Sequence, residues 1–375
     1  MYDSDVLARI SPAAAVTAAA ILTLAGAAGG RPRAADERWI PPANWPFRPP
    51  AALKQGVRGL PAFWSDGSTC ATGCRPPGAR SGWPLRPFHR QHPLRAGLNE
   101  LRSSSFHHGI DIQCRDGQEV YALEAGRAHI VERSGSEERV QVGSYVYWHV
   151  NLRVHEGQAI RAFRTVLGTT KNGFGHLHLS ELGPGSRYLN PLRPGGRVLA
   201  PWRDVAAPIL ARPRFLRDGR VLVDAFDPQS FTVRTTYRTP VLAPAALAYR
   251  VLDLHGHGVT RLHWALRGSQ NLDWSAHRLV YASDTRAPTF WCWIRDPNCR
   301  PRWDYVLAGG FAPALPALGL RRGSYELAAY AWDWAGNVSS IRTRFRASGR
   351  SARRLGRRAT PNAAPLARAR RTDSG

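Results

Sequence analysis

The sequence predicts an all-β protein made of antiparallel sheets, and three observations lead there. β-Branched and aromatic residues recur at period two in short runs, glycine-containing turns separate the runs, and no segment carries a sustained helical period. In a first region, residues 85–200, the strand-like runs are "EVYALEAGRAHIVER", "VGSYVYWHVNLRV" and "QAIRAFRTVLGTT", with turns at "HEGQ" and "KNGFG". In a second, residues 205–348, "GRVLVDAFD", "ALAYRVLDL", "TRLHWALRG" and "HRLVYASD" alternate at the spacing of a β-sandwich. The last run, "GSYELAAYAWDWAGNVSSIRTRFRA", reads as a hairpin turning at Trp334-Ala335-Gly336-Asn337.

A chain of 375 residues exceeds one ordinary core, which predicts two domains with flanking segments. Hydrophobic residues at 43% and charged residues at 21% exclude a disordered or membrane-spanning chain. Residues 1–28 read as an export signal: Ser11 to Ala28 is uncharged and apolar and ends near Ala25-Gly26-Ala27, a small-residue cleavage pattern. The expected location is therefore the cell envelope or the exterior, with no transmembrane anchor after signal removal. Residues 29–84 form a Pro/Gly-rich lead-in without periodicity.

The net charge is +25, almost all of it arginine, with Lys54 and Lys171 the only lysines. Such a surface attracts nucleic acid, anionic lipid or acidic wall polymer alike. No nucleic-acid-binding motif or aromatic platform is evident, so a specific nucleic-acid partner is not expected. The charge peaks in residues 349–375, where Arg350, Arg353, Arg354, Arg357, Arg358, Arg368, Arg370 and Arg371 oppose a single Asp373. Too apolar-poor to fold, this tail is expected to be disordered and to adhere to anionic cell-wall polymers. The cysteines fit export: Cys292 and Cys299 bracket a turn-like "WIRDPN" and are expected to form a disulfide, Cys70 and Cys74 bracket "ATG", and Cys114 is left over.

The chemistry lies in the histidines. In "GFGHLHLSE" a strand puts His176 and His178 on one face and Leu177 and Leu179 on the other. In "SSSFHHGIDIQC", His107, Gly109 and Asp111 share a face, with His108 and Ile110 opposite, so His108 is expected to stay outside the site. His107, Asp111 and His178 make a set of two imidazoles and one carboxylate, the ligand chemistry of a catalytic zinc with one open position. Zn²⁺ makes water acidic enough to attack an amide at neutral pH. His176 would stand beside the ion, and His149, on a run where Tyr145 and Tyr147 share its face, is a further candidate for proton transfer or oxyanion stabilisation. Tyr145 and Tyr147 are candidate substrate-binding residues, although aromatics on a sheet face are more often core. Glu181 is either a support for a histidine or a surface carboxylate.

Read in order, "HHGIDI", "DGQEVYALEAGRAHIV", "YWHVNLRVHEGQAI" and "VLGTTKNGFGHLHLSE" resemble the LytM/lysostaphin-type zinc metalloendopeptidases, peptidase family M23, which cut peptides of bacterial peptidoglycan. That family's pattern is H-x-x-x-D, a later lone histidine and H-x-H. The resemblance covers residues 86–194. It implies that His107, Asp111 and His178 bind zinc, that His149 and His176 are catalytic, and that antiparallel sheets line a groove with the metal at its floor. Peptidoglycan peptides are the implied substrate, and a monomer is expected. The closing "D-x-A-G-N" hairpin resembles bacterial immunoglobulin-like modules, which implies a sandwich over residues 205–348.

A second class of function stays open: a non-catalytic wall-binding or hydrolase-activating protein that keeps the LytM-type fold. Inactive relatives of that kind usually lose metal ligands, and this sequence has every one. A decoy H-x-H in "DLHGHGVTRLHW" (Asp253, His255, His257, His263) lacks an H-x-x-x-D partner and reads as a polar loop. His155 in "HEGQ" lacks the second histidine of H-E-x-x-H. His89 and His92 are expected to be structural or groove-lining, and the Cys114 thiol to lie near the metal.

Overall fold

The computed structural model describes residues 76, 78–211, 213–230, 242–283, 285 and 304–349, all within one compact unit, Glu37–Gly375. The export signal, most of the lead-in, Cys70, Cys74, Cys292, Cys299 and the tail beyond residue 349 lie outside the described residues. The fold is all-β and antiparallel, with one four-residue α-helix among the described residues. No helix among them is long and apolar enough to cross a membrane.

The strands of the first region are β1 Leu94–Ala96, β2 Ile110–Gln113, β3 Glu119–Tyr121, β4 Gly126–Glu132, β5 Arg139–Val142, β6 Tyr145–Trp148, β7 Val150–Leu152, β8 Ala159–Ile160, β9 Val166–Thr170, β10 His176–Leu182 and β11 Tyr188–Leu189. One sheet runs β1-β2-β10-β6-β5-β4-β8, with β11 also on β10; a smaller one runs β3-β9-β7. The expected long strands are thus cut and shared between sheets. "EVYALEAGRAHIVER" breaks into β3 and β4, and "VGSYVYWHVNLRV" breaks at His149, whose φ of 61° separates β6 from β7.

Period two sets the faces of the central strands. Ile110, Ile112, Leu177, Leu179, Tyr145 and Tyr147 point into the core and are fully buried. The Tyr147 hydroxyl accepts a hydrogen bond from the Leu123 N–H at 2.7 Å. Tyr145 and Tyr147 therefore have no face left for substrate. Asp111, His176 and His178 take the opposite face.

The second region contains β12 Ile209–Leu210, β13 Arg214–Phe215, β14 Val221–Phe226, β15 Ala246–Leu252, β16 His263–Arg267, β17 Asp304–Ala308, β18 Gly323–Trp332 and β19 Val338–Ala347. One sheet places β14 between β17 and the short β12 and β13, and the other runs β16-β15-β18-β19. Val221, Val223, Leu307, Tyr249, Val251, Leu327 and Ala329 fill one core between them. The hairpin of β18 and β19 turns over residues 333–337, where Asp333 Oδ1 accepts the Ala335 and Asn337 N–H groups at 2.8 Å each. "HRLVYASD" departs from its expected strand: His277–Val280 is the helix α1, entered through a 3-10 turn in which Asp273 accepts the Ser275 N–H.

The sheet of β15 and β18 is buried on both faces, which explains why "ALAYRVL" is almost continuously apolar. Tyr249, Val251, Leu327 and Ala329 face the core between the two sheets. Ala246, Ala248, Leu252, Ala328, Tyr330 and Trp332 join the same hydrophobic cluster as Ile110, Tyr147 and Leu177 of the first region. Polar links run beside it: Gln229 exchanges two hydrogen bonds with the Leu94 backbone at 2.6 and 2.7 Å, and Asn99 Oδ1 accepts the Leu272 N–H at 2.9 Å.

Candidate metal centre

Strand register creates the centre. β10 lies between β2 and β6, and it pairs His178 with Asp111 on one side and with Trp148 on the other. Directly opposed residues share a face, so the imidazole and the carboxylate meet without any loop having to position them. His107 arrives four residues before Asp111, on the irregular segment ahead of β2. The three groups converge on one point. His107 Nε2 lies 2.8 Å from His178 Nδ1 and 3.1 Å from Asp111 Oδ1, and His178 Nδ1 lies 3.0 Å from the same oxygen. All three side chains are buried.

The donor chemistry fits a zinc ion. His107 Nδ1 donates to the Gly97 carbonyl at 2.7 Å, so its proton is on that nitrogen and Nε2 carries a lone pair. His178 Nε2 contacts Ser180 Oγ at 2.9 Å and His108 Nδ1 at 3.2 Å, which occupies its far side in the same way. Burial drives the His178 imidazole well below its ordinary range, so it is neutral at pH 7, as a ligand must be. Burial by itself raises the Asp111 carboxyl, but the surrounding imidazoles of His107, His176 and His178 outweigh it and hold the group well below the usual range. Two lone pairs and a carboxylate oxygen thus face one another at spacings slightly under the ~3.3 Å edge of a zinc tetrahedron.

His176 and His149 complete the constellation. The His176 Nδ1–H donates to the Phe174 carbonyl at 2.8 Å, and Nε2 lies 3.6 Å from Asp111 Oδ1. Burial, against the raising effect of Asp111 and with Arg95 and His149 assisting, lowers its pKa to about 4, so it is neutral at pH 7. His149 reaches the same side only through its left-handed backbone: φ of 61° turns the ring away from the Tyr145/Tyr147 face that strict alternation assigns to it. Its ring stacks on Phe174 at 4.2 Å and lies 5.2 Å from His176, and its Nδ1–H donates to the Ser136 carbonyl at 2.7 Å. Nε2 is left free to accept a proton.

Other residues fall differently from the sequence expectation. His108 joins the centre, because residues 107–109 precede β2 and do not alternate as a strand: its ring stacks on Tyr188 and contacts His178. Glu181 lies on the core face and forms a buried bidentate pair with Arg193 at 2.6 and 2.7 Å, so it is neither a histidine support nor a surface carboxylate. The half-buried Cys114 packs against the core beside Thr170, and burial pushes its thiol up to about 12. His255 and His257 are exposed, His155 is exposed in a turn, His89 is exposed, and His92 is buried against Trp83.

The sequence did not single out the residues that hold the His107 segment. Glu100 accepts the Gly97 N–H at 2.7 Å and the Ala243 N–H at 3.2 Å, and Asn271 Nδ2 donates to the His107 carbonyl at 3.3 Å. The second region therefore braces the backbone that carries a candidate ligand. Burial raises the Glu100 carboxyl to about 7, against the lowering effects of Arg102 and the two N–H donors. A pKa raised by folding means that the group favours folding fully below its unfolded value, near 4.5, and that this contribution is lost as pH rises through about 7. Glu100→Gln is expected to flatten the pH dependence of Tm between pH 5 and 8 and to add up to about 3 kcal/mol at pH 8. Thermal unfolding across that range checks this, and a loss of stability at pH 8 contradicts it.

No family model matches the chain, and no curated protein matches it. Among solved structures, the chain is similar to one from Pseudomonas aeruginosa described provisionally as a peptidase M23. Identity is 21%, the TM-score is 0.19, and the match covers 27% of this chain and 48% of that one, about half of its length.

Proposed function

We propose that the protein is a secreted zinc-dependent endopeptidase of the LytM kind that hydrolyses peptide cross-links or stem peptides of bacterial peptidoglycan. The observation that carries this reading is the convergence of His107 Nε2, His178 Nδ1 and Asp111 Oδ1 within 3.1 Å, with the far nitrogen of each imidazole already engaged. His107, Asp111 and His178 would hold the ion. Zinc supplies Lewis acidity there, polarising a peptide carbonyl and acidifying water.

The remaining chemistry belongs to His149 and His176. Each has its Nδ1–H committed to a backbone carbonyl, so each offers Nε2. One takes the proton of the attacking water at Nε2, and the other, when it carries a proton on Nε2, donates it to the carbonyl oxygen as it becomes negative or to the leaving amine. Both are partly exposed, whereas His107, Asp111 and His178 are buried. The second region, read as an immunoglobulin-like module, and the arginine-rich tail would hold a monomeric enzyme on anionic wall polymers.

The test is mass spectrometry of muropeptides released from purified sacculi, with and without chelator. Cleaved peptide bonds with new amino termini are expected, lost on chelation and restored by Zn²⁺. Release untouched by chelator, or purified protein that binds no zinc, rejects the proposal in favour of a non-catalytic wall-binding protein. His149→Ala is expected to keep one zinc per chain and to lower kcat by about 10²–10⁴-fold. Unchanged turnover in that variant removes His149 from the chemistry.

A further inference from the structure

A second convergence of acidic groups lies wholly outside the histidine centre. Asp204 follows the first region, Asp227 closes β14, and Asp333 opens the turn between β18 and β19. All three are buried, and one carboxylate oxygen from each lies within 4.8 Å of the other two. Two of the carboxylates are fixed by backbone donors. Asp204 Oδ1 accepts the Ala206 and Ser230 N–H groups at 3.0 Å each, and Asp333 Oδ1 accepts the Ala335 and Asn337 N–H groups at 2.8 Å each. Asn337 Nδ2 adds a bond of 2.6 Å to Asp333 Oδ2.

The inward oxygens are left over. Among the described residues, Asp204 Oδ2 and both oxygens of Asp227, a residue only 1% exposed, have no hydrogen-bond partner. The nearby Arg197 does not supply the missing positive charge by direct contact. Its guanidinium donates to the Trp334 carbonyl at 3.0 Å and lies 3.5 Å from the Leu192 carbonyl. Unpaired carboxylates at this depth are costly unless a counter-charge sits among them. Burial and mutual repulsion push Asp227 well above the ordinary carboxylate range, and burial raises Asp204 and Asp333 too, so three bare anions would not persist together.

We propose that Asp204, Asp227 and Asp333 form a structural site for a hard divalent cation of the calcium class. The donors are all oxygen, with no thiol or imidazole to favour a softer ion. Oxygens ringing one Ca²⁺ at about 2.4 Å stand at most about 4.8 Å apart, and the three carboxylates fall within that limit. The ion would tie the segment after Trp202 to the end of β14 and to the β18–β19 turn, three pieces of chain far apart in sequence. Val205, the next residue after the buried Asp204, is strongly exposed, so the cluster lies close to the surface.

The experiment uses the full chain, first stripped with chelator. Ca²⁺ at about a hundredfold excess over its Kd is expected to raise Tm by about 3–5 °C. Tb³⁺ is expected to luminesce under tryptophan excitation, because Trp202 and Trp334 lie within two residues of the site, and Ca²⁺ should quench that signal. His178→Ala should leave both responses intact, which separates this site from the histidine centre. Asp227→Asn should weaken Tb³⁺ and Ca²⁺ binding at least about tenfold. Wild-type protein that responds to neither Ca²⁺ nor Mg²⁺ at millimolar concentration overturns the proposal and leaves shared protons as the explanation. The wild-type response and Asp204→Asn decide the matter if Asp227→Asn does not fold.

Discussion

Asp111→Ala is expected to abolish zinc binding and, with it, peptidoglycan hydrolysis, while the sheet around it stays folded. One oxygen of Asp111 lies 3.1 Å from His107 Nε2, 3.0 Å from His178 Nδ1 and 3.6 Å from His176 Nε2, so a single atom organises three imidazoles. Removing it leaves two lone pairs facing each other at 2.8 Å with no anion between them. Loss of an outer partner of a metal ligand already costs about 10–100-fold in affinity, and loss of a charged ligand from a three-residue set should exceed that. The core behind Asp111 is Ile110 and Ile112, which the substitution does not touch, so circular dichroism should be unchanged. Metal analysis after gel filtration reads the outcome. One zinc per chain in Asp111→Ala would mean that the metal binds elsewhere.

The comparison of sequence with structure divides along the range of the forces involved. Alternation is local, so the opposed faces of His176/His178 and Leu177/Leu179 were legible, as was the hairpin over Asp333 to Asn337, where a short side chain bonds its own turn. The placement of His149 was legible as a lone histidine in a strand run but not as geometry. Its φ of 61° reverses its face, and nothing in "YVYWHVNL" announces a left-handed residue. His108 joins the centre for the converse reason: residues 107–109 precede β2, so strand alternation does not hold there.

Contacts across long separations were beyond reach. Glu100 with Ala243, Asn271 with His107, and Gln229 with Leu94 join residues more than 130 positions apart, and each is a polar bond that leaves no periodic trace. Glu181 illustrates the same limit. Its strand face follows from period two, but that its charge is met by Arg193 follows only from the fold.

Gly109→Ala is expected to damage both stability and metal binding, out of proportion to one added methyl group. Gly109 precedes β2 at the point where β2 meets β10, with Ile110 opposite Leu179. A Cβ there would collide with the Leu179 carbonyl oxygen and lie 2.7 Å from His178 Nε2. The carbonyl belongs to the central strand and cannot retreat without breaking the pairing that sets His178 against Asp111. The imidazole cannot retreat without leaving Ser180 and rotating Nδ1 off Asp111. Overpacking at so rigid a place costs about 3 kcal/mol. A fitting control is Gly135→Ala, where a Cβ meets nothing within 4 Å and only the positive φ of 68° is penalised, at about 1 kcal/mol. Thermal melts and zinc titrations of the two variants should therefore diverge: Gly135→Ala keeps wild-type zinc affinity, and Gly109→Ala loses most of it. Equal zinc affinity in both would mean that the close approach of Gly109 to His178 does not govern the ligand's position.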